Sequence, residues 1–333
     1  MALLDIKNLT LEIDGSSGWM KALDKVSLRI EEGEIRALVG ESGSGKSLIV
    51  RAVVGAIPEH WRVTADRMTW KGKDLLTMSQ IERRKIMRSE IAVIFQNPLL
   101  SLDPSATLGE QLMESIPGNL VSGRWFWQRT KKRREMAIKL LHKVGIKEHK
   151  KYLGAYPHQI ADDIGQKFLI ACALVSSPRL LIADDPTRGM EITTKTQILK
   201  LLTRLNKTRN LSILFVSHDL LAISSMSDRM TVLYCGQTVE DGKMSQLRKR
   251  PLHPYTKALL DSAPSFRKDL APKSPLAALD GTIPTLQHLP IGCRLGPRCP
   301  RAQKECVRTP ELRHVQDHFY SCHFPLIRER EKQ

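Results

Sequence analysis

One segment constrains this 333-residue chain more than any other. It is Gly40-Glu-Ser-Gly-Ser-Gly45-Lys46-Ser47, between an expected strand at 34–39 (EIRALV) and a helical stretch after Lys46. The pattern G-x-x-x-x-G-K-[ST] between a strand and a helix is a phosphate loop. Glycines let backbone N–H groups wrap phosphates closely, Lys46 brings a cation to the β and γ phosphates, and the Ser47 hydroxyl can ligate Mg²⁺. An ordinary strand-to-helix turn needs no such combination. The segment predicts an α/β fold that binds a nucleoside triphosphate through Gly40, Glu41, Ser42, Gly43, Ser44, Gly45, Lys46 and Ser47.

The surrounding pattern agrees. Residues 3–13 and 26–30 alternate as strands do, and buried strands are predicted at Ile91–Phe95, Arg179–Asp184, Ile213–Ser217 and Met230–Cys235. Helical patterns lie between them, for example at 135–144 and 195–205, so a largely parallel sheet is expected. With 41% hydrophobic residues the chain can bury real cores in about two domains. A disordered tail or a small disulfide scaffold is excluded. At Arg250 the texture changes to RPLHPYTKALLDSAP and then a Pro-rich stretch near 264–290, which places a boundary there. The longest apolar run, Phe168 to Val175, falls short of the ~18 to 20 residues that cross a bilayer. Asp5 in the opening MALLDIKN argues against an export signal.

The segments GESGSGKS, IFQNPLLSLDP, YPHQIADDIGQK, LLIADDPT and VSHD resemble, in order and spacing, those of ATP-binding cassette (ABC) transporter ATPases. HPYTKALL and the closing GCRLGPRCP with two further Cys are similar to the oligopeptide/dipeptide branch of that family. WRVTADRM, GRWFWQ and LLHKVGIK resemble one peptide-transport subgroup of the branch. The resemblance spans nearly the whole chain. It implies a P-loop NTPase fold: a RecA-like α/β core, an antiparallel β subdomain, a helical subdomain and a small Cys-containing extension. The expected limits are 1–250 for the nucleotide-binding domain, with the helical subdomain about 98–164, and 251–333 for the extension.

Roles carried by the resemblance attach to particular residues. Gln96 resembles the glutamine that touches Mg²⁺ and senses the membrane subunit. Asp184 resembles the aspartate that holds Mg²⁺ through water; a carboxylate closing four apolar residues is otherwise odd, since burying it unpaired is costly. His218 resembles the switch histidine at the γ-phosphate, although alone a strand-end histidine is an ordinary feature. Trp19, 27 residues before Lys46, takes the place of the aromatic that stacks on adenine, and it reads equally well as a cover over a sheet edge.

Three departures from the family pattern bear on chemistry. The residue after Asp184 is normally Glu, which polarises the attacking water; here it is Asp185. Losing one methylene withdraws the carboxylate by about 1.5 Å, and displacements on the order of 1 Å can cost ~10²-fold in rate. The signature Leu-Ser-Gly-Gly, which holds the partner's γ-phosphate, is replaced by Ile160-Ala161-Asp162-Asp163. Ala161 lacks the hydroxyl. Each Asp opposes a triphosphate by roughly 4 kcal/mol per full charge pair at 4 Å and an effective dielectric of 20. One of them can instead cap the helix that follows. Finally, the loop commonly written Thr-Ala-Leu-Asp reads Arg188-Gly189-Met190-Glu191.

The formal charge of +17 is localised. Residues 121–151 hold 11 basic and 2 acidic residues, residues 241–333 hold 17 and 9, and the remainder balances. Within the first stretch, residues 123–134 pack six basic and three aromatic residues into twelve. That mix suits an anionic membrane surface or a nucleic acid; a solvated helix start with its rings tucked into the core is the plainer reading. Its place between Gln96 and the signature puts it in the subdomain that, by the resemblance, faces membrane subunits. Cys293, Cys299, Cys306 and Cys322 offer four thiolates within 30 residues. Spacing alone suits zinc or an iron–sulfur cluster equally, with free thiols or a disulfide as the alternative; the resemblance implies a 4Fe-4S cluster.

Taken with the resemblance, the residues imply a subunit that binds ATP and Mg²⁺ (Ser47, Gln96, Asp184) and hydrolyses ATP slowly, with Asp185, His218 and Gln96 at the reaction. It would energise transport of a peptide, antimicrobial peptides included, or of putrescine. The implied partners are a second ATP-binding subunit in a heterodimer, two transmembrane permease subunits and a periplasmic solute-binding protein, with no nucleic acid. The implied location is the cytoplasmic face of a bacterial inner membrane. A nucleotide-binding regulatory subunit with negligible hydrolysis is the rival reading.

Overall fold

Strands β1 (Ala2–Gly15) and β2 (Gly18–Glu31) open the chain as an antiparallel pair. Leu4, Ile6, Leu9 and Leu11 of β1 and Leu23, Val26, Leu28 and Ile30 of β2 are buried. The three-residue step from Ile6 to Leu9 would turn the set outward in a regular strand; a register shift between them keeps it inward. Strand β2 starts well before the expected residue 26, because its polar first half finds a ladder on β1 that local pattern does not reveal. A computed structural model describes residues 2–15, 18–121, 125–263 and 279–326. Two compact units comprise Met1–Gln80 with Leu214–Gln333, and Ile81–Ile213.

In the first unit, β3 (Ile35–Val39) is wholly buried and leads through the phosphate loop into α1 (Lys46–Val54). Each large aliphatic residue buried here contributes roughly 1.5–3 kcal/mol. Strands β4 (Arg62–Thr64), β5 (Arg67–Trp70) and β6 (Lys73–Asp74) complete the antiparallel sheet, whose order is β2-β1-β5-β6 with β4 also on β1.

The second unit begins with α2 (Gln80–Ser89) and β7 (Ile91–Ile94). Helices α3 (Leu108–Ser115), α4 (Phe126–Lys143), α5 (His149–Leu153) and α6 (Asp162–Ala173) follow. A capping box on Thr107 and Glu110 starts α3. Leu108, Leu112, Ala137, Leu141, Phe168 and Ile170 are buried. Strand β8 (Leu180–Asp184) pairs parallel to β7, and α7 (Ile192–Arg209) closes the unit. Helix α4 starts earlier than the periodicity at 135 suggests. Its first turns are basic and exposed, so they carry no apolar stripe.

Strand β9 (Ser212–Ser217) returns to the first unit, followed by α8 (Leu220–Met226), β10 (Arg229–Tyr234), β11 (Gln237–Lys243), α9 (Met244–Lys249) and α10 (Pro254–Asp261). Strands β12 (Arg313–Val315) and β13 (His318–Tyr320) come last. The strands here run β12-β13-β11-β10-β3-β9. Strand β10 is parallel to β3 and antiparallel to β11, so the sheet is mixed. Among the described residues, no helix is long and apolar enough to cross a membrane.

Candidate functional site

The phosphate loop is built by close backbone approach. Gly45 sits at φ 102 as the N-cap of α1, a conformation open mainly to glycine, and a Cβ on Gly40 would lie 2.2 Å from the Leu233 carbonyl oxygen. The Lys46 ammonium donates to the Gly40 carbonyl (2.7 Å), the Glu41 carbonyl (2.9 Å) and the Ser44 hydroxyl (3.2 Å). The Ser44 carbonyl accepts from Gly236 N–H at 2.8 Å, tying the loop to the β10–β11 turn. Ser42, Gly43 and Ser47 are exposed. Helix α1 has no acidic residue in its first turn, and a helix N-terminus favours an anion.

Two further candidates share this unit. His218 lies exposed just beyond β9. Asp219 beside it is occupied as the α8 N-cap, accepting from Leu221 N–H (3.0 Å) and Ala222 N–H (3.2 Å). Trp19 is 40% exposed, with the Arg62 guanidinium 3.8 Å from its ring centroid.

Other predicted residues belong to the second unit. Gln96, half-buried, lies two residues past β7. Asp184 is the half-buried last residue of β8. Asp185 is buried and has φ +50, a left-handed conformation that Asp tolerates better than longer side chains do. Ala161 is the N-cap of α6 and makes no side-chain cap bond. The expected capping by Asp162 or Asp163 is thus corrected: both are inside the first turn, where they act through charge rather than as a cap. Asp162 is exposed, and Asp163 lies 3.6 Å from the Lys167 ammonium. One turn on, Gln166 is fully buried with neither side-chain amide atom hydrogen-bonded.

The basic stretch at 123–134 is described from Trp125; Gly123 and Arg124 lie outside the described residues. Trp125 and Trp127 stack at 5.4 Å between centroids and are 55% and 67% exposed. These indoles are not tucked into the core, which corrects the plainer reading. Arg129, Lys131, Lys132 and Arg134 are exposed beside them.

The four tail cysteines line one small cavity with His253, Leu295 and Phe324. Burial raises the thiol pKa of Cys293 and Cys299 and pushes Cys322 up to about 11, favouring protonated thiols. Among the described residues, no three His, Cys, Asp or Glu side chains are grouped to hold a metal ion.

Sequence reasoning missed the support behind the phosphate loop. The Tyr255 hydroxyl, on α10, accepts from Glu41 N–H at 2.9 Å, and burial pushes the phenol pKa up, keeping it protonated. His253 caps the same helix, its Nδ1 accepting from Tyr255 N–H at 3.1 Å. Burial pulls its pKa down to about 4 against the charge of Glu240, so the ring is neutral and can accept. The buried Glu240 carboxylate accepts from Leu252 N–H (2.7 Å) and His253 N–H (2.9 Å), and lies 2.6 Å from His318 Nε2 of β13. HPYTKALL signalled a family branch; nothing local in it shows that Tyr255 reaches residue 41.

The chain matches the ABC transporter family over residues 23–188 and the C-terminal region of oligopeptide/dipeptide transporters over residues 239–306. It is 54% identical over 331 residues to the peptide transport system ATP-binding protein SapD of Salmonella typhimurium, covering 99% of this chain and 100% of that one. Identity is 48% to SapD of Haemophilus influenzae (99% and 95% covered) and 38% to the dipeptide transport ATP-binding protein DppD of Escherichia coli (98% and 98%). A bacterial ABC transporter cassette solved as a dimer superposes with a TM-score of 0.64 at 25% identity, over 72% of this chain and 98% of that one. With a complete phosphate loop and relatives matched end to end, this chain belongs to the ABC transporter ATPases, as an ATP-binding subunit of the oligopeptide/dipeptide branch.

Proposed function

We propose that this subunit energises movement of a peptide, antimicrobial peptides included, or of putrescine, and that it works opposite a different ATP-binding subunit. The asymmetry of its two helix N-termini carries the reading: α1 presents Lys46 and Ser47 without acidic residues, while α6 presents Asp162 and Asp163. A partner with an ordinary signature would serve the ATP held here, whereas a homodimer would oppose Asp162 and Asp163 to both nucleotides. Two permease subunits and a periplasmic solute-binding protein complete the proposed assembly, on the cytoplasmic face of the inner membrane. The exposed Trp pair and basic start of α4 support a membrane-side position over nucleic-acid binding.

The family resemblance supplies the residue roles. Lys46 and the loop amides hold the triphosphate and Trp19 meets the adenine. Ser47, Gln96 and Asp184 are each assigned to Mg²⁺, Asp185 to the attacking water, and His218 to the γ-phosphate. Bound Mg²⁺ would neutralise charge on the β and γ phosphates. Domain limits of 1–250 and 251–333, with the helical subdomain about 98–164, complete the assignment. The four thiols on one cavity support an iron–sulfur cluster there; iron and zinc analysis with absorbance near 400 nm on anaerobically purified protein tests it, and zinc without iron, or neither metal, would refute it.

Single-turnover ATP hydrolysis by the assembled transporter is the deciding measurement. Slow but transport-coupled hydrolysis at the site bearing Lys46 is expected. Binding without turnover would favour the regulatory reading, for which Asp185 is the specific observation. A stable homodimer hydrolysing ATP at an ordinary rate would overturn the heterodimer.

A further inference from the structure

Besides Tyr255, which meets the Glu41 backbone, the extension reaches the Glu41 side chain through Arg298. Arg298 Nη1 lies 3.0 Å from Glu41 Oε2, and Nη2 lies 3.5 Å from Oε1. The Arg298 side chain is 9% exposed and that of Glu41 33%. Arg298 also donates to the Asp280 carbonyl (3.1 Å), the Leu279 carbonyl (3.4 Å) and the Tyr234 hydroxyl (3.3 Å). Its backbone is equally restrained. Gly296 N–H bonds the Cys293 carbonyl, Arg298 N–H the Leu295 carbonyl and Cys299 N–H the Gly296 carbonyl, so residues 293–299 form a tight run of turns. That run is anchored by Arg294, which donates to the Cys235 carbonyl beside Gly236 and lies 3.4 Å from Asp24.

Glu41 is the second residue of a loop that must accept a triphosphate. An uncompensated carboxylate there repels the ligand, and a guanidinium fixed on it removes most of that repulsion. We propose that Arg298 is a positioning residue for ATP binding: it neutralises and holds Glu41, so that the C-terminal extension tunes the affinity of the phosphate loop. The proposal rests on nucleotide binding at this loop, and Lys46→Ala tests that premise separately.

The experiment is titration of a fluorescent ATP analogue on the full-length chain, with KM and kcat of the assembled transporter measured in parallel. Arg298→Ala is expected to weaken binding about tenfold, with the loss in KM and kcat within about twofold. Adding Glu41→Gln to Arg298→Ala should restore most of the affinity, because the repelling charge is gone. Glu41→Gln alone, which leaves the extension intact and does not depend on Arg298→Ala folding, should tighten binding and make it more salt-sensitive. Arg298→Lys should keep part of the affinity. Affinity unchanged in Arg298→Ala, no rescue by Glu41→Gln, or weaker binding in Glu41→Gln alone would each overturn the proposal.

Discussion

Helices α1 and α6 present the same backbone feature, an N-terminus without a side-chain cap, and opposite chemistry. At α1 the N-cap is Gly45 and the first turn carries no acid; at α6 the N-cap is Ala161 and the first turn carries Asp162 and Asp163. A helix N-terminus is worth about half a positive charge. The first turn of α1 brings no carboxylate of its own to that charge, whereas the first turn of α6 brings two. The loop before α1 is also braced from behind by Gly236, Tyr255 and Arg298, which lie far from it in sequence. Behind α6, by contrast, the buried amide of Gln166 goes unsatisfied. The proposed reading assigns nucleotide binding to α1 and the contribution to the partner's nucleotide to α6, two helices that can be altered separately.

The largest effect should come from the loop itself. Lys46→Ala is expected to lower nucleotide affinity by about 100-fold or more, since a charge-assisted contact to phosphate is lost; near-normal analogue binding would break the comparison at its stronger side. Next, Asp185→Glu extends the carboxylate by one methylene and should raise single-turnover hydrolysis, by up to ~10²-fold if reach alone limits the rate. The left-handed backbone at Asp185 favours Asp over Glu, so part of the gain will be offset by stability. A rate that does not rise would show that reach is not what slows this site.

The brace behind the phosphate loop carries a pH signature. His253 is buried with its pKa near 4, whereas in the unfolded chain it titrates near 6.5. The unfolded state therefore takes up the proton first, and stability falls as pH drops from 6.5 toward 4, by roughly 2 kcal/mol between pH 7.5 and 5. Above that window the group adds no slope. Urea midpoints across the range check this, and His253→Asn, which retains an acceptor for the helix cap, should flatten the dependence. Smallest is the signature. Replacing Ala161, Asp162 and Asp163 by Ser, Gly and Gly should raise turnover at the partner's nucleotide about tenfold, read with a hydrolysis-deficient Asp185→Asn background; part of the charge repulsion is screened at exposed Asp162.

Much of the frame was legible before the structure. Strand β3, the phosphate loop and α1 follow from a short, mostly apolar stretch, glycines and a helical pattern, all local. Asp184 closing β8 was equally plain. What was not legible arises from long-range pairing: the full length of β2, set by its ladder with β1; the start of α4, where exposed basic turns hide the helical period; and Glu240, which looks like an ordinary surface acid and is wholly buried between α10 and β13. The exposure of Trp125 and Trp127 was also invisible, because an indole suits a core and a membrane interface alike.

The sequence alone determined that this chain binds a nucleoside triphosphate and belongs to a transport ATPase family, because backbone wrapping of phosphate demands particular residues at fixed local spacing. It also located the departures, at Ala161, Asp162 and Asp163 in the signature and at Asp185 after β8, since these are positions in local motifs. Only the tertiary structure decided how the loop is held. Arg298 and Glu41 are 257 residues apart, and their contact is a matter of packing and charge pairing that no local pattern encodes.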